Sequence, residues 1–293
     1  MIQVSSQFDG GNIKVLDSTD PTDIQLEIRK DNKSDFYQWF YFRVTGAKGE
    51  PCRFKIINAE GAAYPRGWED YQAVCSSTGR CWRRVETNYS QGVLEIKCSP
   101  ESDAIYIAYF APYSQERHAS LISRMVQNEN IQLEMLGRTI DGRDIDLLHI
   151  GDPDPGKLNI WTIARQHPGE TMAQWWMEGF LSELIDENSN AAKGLLEGSI
   201  VHVVPNMNPD GSFRGHLRTN AVGANLNREW LNPSLERSPE VYLVRKKMHS
   251  IGVDFCLDVH GDEALPYNFI AGTEGVPGWN DERQIKLEKF KQL

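Results

Sequence analysis

The sequence has 293 residues, of which 40% are hydrophobic and 25% are charged, and it carries a formal net charge of −10 at pH 7. This length allows two domains that bury their own cores without disulfides or structural metal. The negative charge opposes binding to nucleic acid, and because no apolar run approaches the roughly 20 residues of a membrane helix, we expect no membrane span.

The N-terminal sequence and the cysteines both indicate a reducing compartment. Residues 1–11 have neither the basic start nor the apolar stretch of a secretory signal, so we expect a cytoplasmic protein. The cysteines form an odd set without a Cys-x-x-Cys pair, which favours reduced thiols over a disulfide framework. They are Cys52, Cys75, Cys81, Cys98 and Cys256.

The first part of the chain, up to about residue 110, has the pattern of short strands separated by turn residues. The predicted strands are 36–44, 53–58, 92–97 and 104–110. They favour a β-sandwich. Between them, Arg83 and Arg84 are interpreted as a solvated basic face.

A helix is predicted to follow the sandwich. Ser114 is a candidate N-cap for a helix beginning near Gln115, where apolar residues start to recur at helical spacing. We place the domain boundary near residue 118, which gives a first domain of 1–118 and a second of 119–293.

The second part alternates apolar strands with helices. The predicted strands are 158–164, 199–205 and 254–259, and the predicted helices are 170–186 and a segment from Pro239 to Ile251 with Ser238 as its cap. This β-α-β-α-β order predicts a parallel sheet covered by helices, and thus an α/β fold.

Polar residues follow the end of each of these strands. His167 comes after the first strand, the polar stretch 206–228 after the second, and His260 after the third. Binding sites of open α/β sheets form beyond the carboxyl ends of the strands, so these side chains are predicted to converge.

His167, Glu170 and His260 have the composition of a hydrolytic zinc site. Two imidazoles and one carboxylate leave a fourth position for water, whose pKa falls from about 15.7 to roughly 7 on Zn²⁺. Other interpretations fit single residues: His167 could simply end a strand, Glu170 could favour a helix N-terminus, and His260 could be a buried, hydrogen-bonded histidine.

Several motifs add to the triad and carry a family resemblance. They are His-Pro-Gly-Glu at 167–170, Asn-Pro-Asp-Gly at 208–211, the single Arg218, Leu-Asn-Arg-x-Trp at 226–230 and Asp-x-His-Gly at 258–261. The chain resembles the M14 zinc metallocarboxypeptidases and, within them, the cytosolic carboxypeptidase subfamily. The aromatic stretch 39–44 and Tyr113-Ser114 extend the likeness to the first part of the chain.

The resemblance implies an N-terminal antiparallel β-sandwich followed by an α/β/α carboxypeptidase-type domain with a mostly parallel, mixed sheet. It implies one zinc ion per chain, held by His167, Glu170 and His260. Arg218 would stabilise the oxyanion, and Asn227 with Arg228 would hold the terminal carboxylate of the substrate. A guanidinium pairs bidentately with a carboxylate, which suits a demand for a free chain end.

The implied function is removal of C-terminal residues from peptide or protein tails by zinc-activated water. Two alternatives stay open: an amidohydrolase of the aspartoacylase or succinylglutamate-desuccinylase type, and a noncatalytic relative that binds zinc or peptide. A preference for acidic tails would be an analogy only.

Two departures from the family pattern stand out. Asn225 replaces the family's usual aspartate, which accepts a hydrogen bond from a ligating imidazole, so we expect weaker zinc binding than in an Asn225→Asp variant. The family's general-base glutamate lies on a late strand, downstream of the third ligand, and no acid of this sequence is assigned to that role. We expect that the sequence stops short of the family's last sheet strands, because a noncatalytic relative that ended here would have a sheet without closing elements.

The remaining candidate residues receive structural interpretations. His202 is predicted as a strand residue rather than a ligand, and His216 and His118 are likewise not assigned as ligands. Trp175 and Trp176 are interpreted as helix packing, and Asp262 and Glu263 as a solvated turn. The segment Asp281–Leu293 is predicted as an amphipathic helix with Leu287, Phe290 and Leu293 on one side.

Overall fold

The computed structural model describes residues 1–265 and 267–292, and within these ranges the chain forms three five-stranded sheets. Residues 1–261 form one compact unit, and a small second unit begins at Asp262. The part of the chain that the structure describes contains no helix long and apolar enough to cross a membrane.

The first two sheets form the predicted sandwich. Their strands, in chain order, are β1 (Gln3–Ser5), β2 (Lys14–Asp17), β3 (Ile24–Glu27), β4 (Tyr41–Thr45), β5 (Cys52–Ile56), β6 (Val74–Ser76), β7 (Arg83–Arg84), β8 (Thr87–Ser90), β9 (Val93–Cys98) and β10 (Ala104–Ala108). One sheet has the order β1-β4-β10-β6-β7 and the other β2-β3-β5-β9-β8. Inward-facing residues of both sheets, such as Phe42 and Phe54, belong to one buried cluster.

The pairing is antiparallel as predicted, except that β3 and β5 are parallel. The predicted strand at 36–44 begins only at Tyr41. Before it, the buried Gln38 accepts a hydrogen bond from the backbone N–H of Tyr64 and donates one to its carbonyl. These side-chain bonds replace the ladder bonds of a strand.

The third sheet and its helices follow. The elements are α1 (Gln115–Met125), β11 (Ile131–Arg138), β12 (Asp144–Ile150), β13 (Leu158–Ala164), α2 (Thr171–Leu184), α3 (Asn190–Gly198), β14 (Ser199–Val204), α4 (Pro209–Arg214), α5 (Pro239–Ile251) and β15 (Phe255–Val259). The sheet order is β11-β12-β14-β13-β15, with β14, β13 and β15 parallel and the others antiparallel.

Helices cover both faces of this mixed sheet. Apolar residues of α1 and α2 pack with Val201 and Val203 on one face, and those of α5 pack with Trp161 and Ile163 on the other. The α/β/α layering confirms the predicted fold class. The parallel strand β14 lies on one side of β13 and β15 on the other, so the chain reverses its winding at the carboxyl end of β13.

For the second part of the chain, the predictions were incomplete or wrong in three respects. The hairpin of β11 and β12 was missed, because β11 exposes Leu133 and Met135 and so lacks a clean alternation. The short helices α3 and α4 were missed as well. Ser238 does occupy the N-cap position of α5, but its side chain makes no capping hydrogen bond.

The second unit contains one helix, α6 (Asp281–Lys291), capped by Asn280, among its described residues. Leu287 and Phe290 are half-buried on it, whereas the predicted third member of that face, Leu293, lies outside the described residues.

Candidate metal centre

The structure brings together the three predicted ligands at the carboxyl ends of β13 and β15. His167 follows β13, Glu170 precedes the first turn of α2, and His260 directly follows β15. One potential ligand atom from each side chain lies within 4.8 Å of the other two. His167 and Glu170 are buried, and His260 is half-buried.

Both imidazoles present the same nitrogen to the carboxylate. The Nδ1 atom of His167 lies 2.7 Å from Oε1 of Glu170, and the Nδ1 atom of His260 lies 2.7 Å from Oε2. The backbone N–H of Gly261 also donates to Oε2, at 3.0 Å. Glu170 occupies the N-cap position of α2, where the helix dipole favours a negative charge.

The outer nitrogens of both rings have acceptors. Nε2 of His167 lies 3.1 Å from Oδ1 of Asn225, and Nε2 of His260 lies 2.9 Å from Oδ2 of Asp258. Each imidazole thus has an accepting oxygen at both nitrogens, a Glu170 oxygen at Nδ1 and an outer acceptor at Nε2. When a neutral ring carries its proton on Nε2, its Nδ1 lone pair faces the carboxylate, and two such rings with Glu170 supply three electron-pair donors. This donor set requires positive charge at its centre and fits a divalent cation.

The pKa shifts of Glu170 and His260 agree with a site for a cation. Burial raises the pKa of Glu170, but hydrogen bonds and charges of His167 and His260 outweigh it and lower the pKa to about 2. Burial lowers the pKa of His260, but its contacts with Asp258 and Glu170 raise it to about 10. The surroundings thus favour a cation at this point.

Asp258 and Arg165 are two residues whose roles sequence reasoning missed. Asp258 lies near the end of β15 and precedes His260 by two residues. In extended backbone this spacing places both side chains on one side, so it was an available signal. Arg165 is buried with a φ of +58°, and its guanidinium donates to the carbonyls of Pro168 and Tyr113. It fixes the loop that carries the first two ligands, and no spacing in the sequence indicates this.

Trp230, the last residue of the Leu-Asn-Arg-x-Trp motif, is linked to the centre by hydrogen bonds. Its Nε1 donates to Gln166, whose amide nitrogen donates in turn to Oδ2 of Asp258. Asp258 therefore accepts from both Gln166 and His260, which fixes its carboxylate.

The arginine-bearing segment lies against the ligand loop. The backbone N–H of Gly169 donates to the carbonyl of Leu217 at 2.8 Å, and Arg218 is the residue that follows Leu217. The guanidinium of Arg218 donates to the hydroxyl of Tyr64 and lies over the rings of Phe36 and Tyr64. The first part of the chain thus supplies the surroundings of this arginine.

Asn227 and Arg228 lie on the short 3-10 turn that follows Asn225. The amide of Asn227 lies 3.5 Å from Nε2 of His260, which places it at the rim of the centre. Arg228 is exposed, and it donates to the carbonyl of Asn227. Its guanidinium is accessible to an anion from solvent.

The other histidines have structural partners. His202 is buried on β14 between His149 and Asn159, as a strand residue would be. His118 contacts Asp146. Nε2 of His216 accepts from the backbone of Asn32. Trp175 donates to the carbonyl of Ala111, and the ring of Trp176 stacks on Phe180 and is half-exposed.

Comparisons with known proteins agree with this geometry. The family model of the cytosolic carboxypeptidase N-terminal domain matches residues 4–110, and that of zinc carboxypeptidase matches residues 120–267. An uncharacterised protein of Zymomonas mobilis is 55% identical over 98% of this chain and 74% of its own length. Mouse cytosolic carboxypeptidase 4 is 27% identical, over 91% of this chain but only 28% of the mouse protein.

A solved structure is also similar over nearly the whole chain. It is the metallo-carboxypeptidase of Pseudomonas aeruginosa in complex with (2-guanidinoethylmercapto)succinic acid, which is 45% identical with a TM-score of 0.96. The similarity covers 99% of this chain and 78% of that protein.

Proposed function

This chain belongs to the zinc carboxypeptidase family, and we propose that it is a zinc-dependent metallocarboxypeptidase that releases C-terminal residues from peptides or proteins. We assign one zinc ion per chain to His167, Glu170 and His260. The observation that carries the proposal is the convergence of two Nδ1 atoms and a carboxylate, with an outer acceptor on each ring. We place the protein in the cytoplasm.

When bound, zinc would supply Lewis acidity, which makes water a nucleophile at neutral pH and polarises the scissile carbonyl. Asn225 and Asp258 hold the outer protons of the two rings and thereby keep each Nδ1 available. In this proposal, the guanidinium of Arg218 stabilises the oxyanion. Removal of such a donor typically costs about 2.7–4 kcal/mol of activation free energy.

We assign binding of the substrate's terminal carboxylate to Asn227 and Arg228. The exposed guanidinium and the neighbouring amide at the rim of the centre support this role. The Pseudomonas relative binds a succinic acid derivative, which carries two carboxylates. Preference for a free C-terminus would follow from a bidentate pairing that an amide cannot form. We assign no general base among the residues of this sequence.

The test combines metal analysis with a substrate panel. We expect about one zinc ion per chain in the purified protein and release of the last residue from peptides with a free C-terminus, with no turnover of amidated peptides or N-acyl amino acids. Arg228→Ala should raise KM for free peptides by tenfold or more, whereas Arg237→Ala, which removes an exposed arginine paired with Glu229, should not.

Each outcome separates the alternatives. Turnover of N-acyl amino acids with no peptide cleavage would indicate the amidohydrolase, and tight binding of free peptides without turnover by the full-length protein would indicate a noncatalytic relative. Absence of zinc from the protein would overturn the proposal for the centre itself.

A further inference from the structure

Two aromatic residues of the sandwich contact the side chain of Arg218, which comes from the second part of the chain. The guanidinium donates to the hydroxyl of Tyr64. Its central carbon lies 5.6 Å from the ring centre of Phe36 and 5.7 Å from that of Tyr64, within the range of a cation–π contact. One neutral hydroxyl and two aromatic rings therefore contact this half-buried cation.

The partners of the Arg218 guanidinium differ from those of a neighbouring arginine. Within residues 1–261, the guanidinium of Arg218 forms no ion pair. Arg214, four residues earlier, donates to both carboxylate oxygens of Asp141, at 2.7 and 2.9 Å. A carboxylate at Arg218 would neutralise the charge that a developing oxyanion needs. Neutral partners can hold the group in place without that loss.

Tyr64 is itself fixed by a buried glutamine. Oε1 of Gln38 accepts from the backbone N–H of Tyr64 at 2.7 Å, and Nε2 of Gln38 donates to the carbonyl of Tyr64 at 3.0 Å. The same Nε2 donates to the hydroxyl of Tyr109, which belongs to the buried cluster of the sandwich. The backbone of Tyr64 is thus anchored to the core of the sandwich.

The loop 31–36 contacts both ends of the arginine. Oδ2 of Asp31 accepts from the backbone N–H of Arg218 at 2.8 Å, and the ring of Phe36 lies against the guanidinium. The backbone N–H of Asp31 donates to the carbonyl of Phe36 at 2.8 Å and closes the loop. Because one short loop contacts the backbone and the side chain of Arg218, it restrains the position of the charge.

We propose that Tyr64 and Phe36 are positioning residues of the peptidase reaction, which hold the guanidinium of Arg218 in place for the oxyanion without neutralising it. This inference rests on the proposed function, because it takes Arg218 as the oxyanion donor. Both residues act through Arg218 and not on the reacting atoms. A donor that is already oriented needs no reorganisation when the oxyanion forms, so the sandwich contributes to transition-state stabilisation.

The proposal predicts a separation of kcat from KM. The oxyanion develops in the transition state, so a loss of positioning should lower kcat and leave KM nearly unchanged. We expect Tyr64→Phe, which removes only the hydroxyl, to lower kcat about tenfold and to change KM by less than about twofold. Phe36→Leu, which keeps an apolar side chain but removes the ring, should lower kcat by about threefold. Steady-state kinetics of the intact protein with a peptide that has a free C-terminus give both constants.

A double-mutant cycle separates positioning from a general structural role. In an Arg218→Ala background, the group to be held is absent, and Tyr64→Phe should change kcat by less than about twofold. Tyr71→Phe is the matched control, because it removes a hydroxyl that donates to the carbonyl of Tyr109 within the sandwich, and it should leave kcat unchanged. An equal loss of kcat from Tyr64→Phe in both backgrounds, or no loss in the parent, would overturn the proposal.

A second measurement requires neither turnover nor metal. It is the ¹⁵N relaxation of the Arg218 Nε–H group in the metal-free intact protein, assigned by its absence from Arg218→Ala. We expect an order parameter above about 0.8 in the parent and below about 0.6 in Tyr64→Phe. The Nε–H of Arg214, which donates to Asp141, is the control in the same spectra and should not change.

The two measurements distinguish failure of this inference from failure of the proposed function. An unchanged order parameter of Arg218 in Tyr64→Phe would overturn the positioning role, whatever the activity of the protein. If the parent protein cleaves no peptide, the proposed function fails, and the order parameter still decides whether Tyr64 holds the arginine.

Discussion

Asn225 shows how a single atom could tune the metal centre. Its Oδ1 accepts from Nε2 of His167 at 3.1 Å, in the position where an aspartate would accept with a full negative charge. A charged acceptor makes the opposite nitrogen of the ring a stronger ligand. His260 already has such an acceptor in Asp258, so the two rings differ in their outer partners.

We therefore expect Asn225→Asp to raise zinc affinity by about tenfold, because changes in outer partners typically alter metal affinity by 10–100-fold. Asn225→Ala should lower it, and Asp258→Asn should lower it as well. Competition with a chromogenic chelator measures all three. Equal affinity of the parent and Asn225→Asp would show that the charge of this acceptor does not matter.

Glu240 is a buried carboxyl in the first turn of α5. Burial raises its pKa to about 7, the negative charges of Asp210 and Asp141 add to the shift, and hydrogen bonds from its own N–H and from Asn220 oppose it. In the folded state, Glu240 therefore keeps its proton at pH values where the unfolded chain has lost it. The free energy of unfolding must fall as pH rises from about 4.5 towards 7.

Glu240→Gln removes this ionisation, and we expect it to raise the free energy of unfolding at pH 8 by on the order of 2 kcal/mol, with little effect near pH 4. Urea unfolding at both pH values is the measurement. Glu236→Gln, an exposed glutamate nearby, serves as the control and should change neither value. An effect of Glu240→Gln that is independent of pH would mean that packing rather than ionisation is responsible.

At the scale of elements, the N-termini of α1 and α5 differ: each is preceded by a serine, but only one of the two serines caps its helix. Ser114 caps α1, because its Oγ accepts from the N–H of Arg117 at 3.1 Å. Ser238 precedes α5 in an equally favourable sequence, but its buried Oγ has no hydrogen-bond partner among the described residues. Ser114→Ala should lower the free energy of unfolding by about 1 kcal/mol.

Ser238→Ala should leave stability unchanged or raise it slightly, since it removes a buried hydroxyl without a partner. Thermal and urea unfolding of the two variants, compared side by side, provide the measurement. If both substitutions destabilise the protein by a similar amount, Ser238 forms a hydrogen bond in solution and the distinction fails.

The elements that sequence reasoning predicted are those with strong periodicity or buried apolar runs. The strands β13, β14 and β15 and the helices α2 and α5 were predicted to within about two residues at each end. The hairpin of β11 and β12 was missed, because an edge strand that exposes Leu133 has no clear inward face. The parallel pairing of β3 with β5 was missed as well, because a propensity pattern carries no information on strand direction.

The sequence motifs were sufficient to predict the three ligands of the site. His167, Glu170 and His260 were named from their positions after strands, and the structure brings them together. The support for that site was not predictable. The left-handed backbone of Arg165 and the contact of Arg218 with Tyr64 depend on tertiary packing between segments far apart in sequence.

At the scale of the whole molecule, the sandwich and the second part of the chain share a core. Leu217, from the arginine-bearing segment, belongs to the buried cluster of the sandwich. The carboxylate of Asp31 accepts from the backbone N–H groups of Leu217, Arg218 and Thr219 at 2.7, 2.8 and 2.9 Å. The proposed boundary near residue 118 therefore separates two parts that form one compact unit up to residue 261.

We expect residues 119–293, expressed alone, to bind zinc more weakly than the intact protein. Without Asp31, three amides of the segment 217–219 lose their acceptor, and this segment holds the ligand loop through Gly169. In the intact protein, Asp31→Asn should lower the free energy of unfolding by about 2–3 kcal/mol and speed hydrogen exchange at 217–219, because bonds to a charged acceptor are replaced by weaker ones. Asp35→Asn, at an exposed carboxylate, is the control. Equal zinc affinity of the isolated part and the intact protein would show that the sandwich does not support the metal centre.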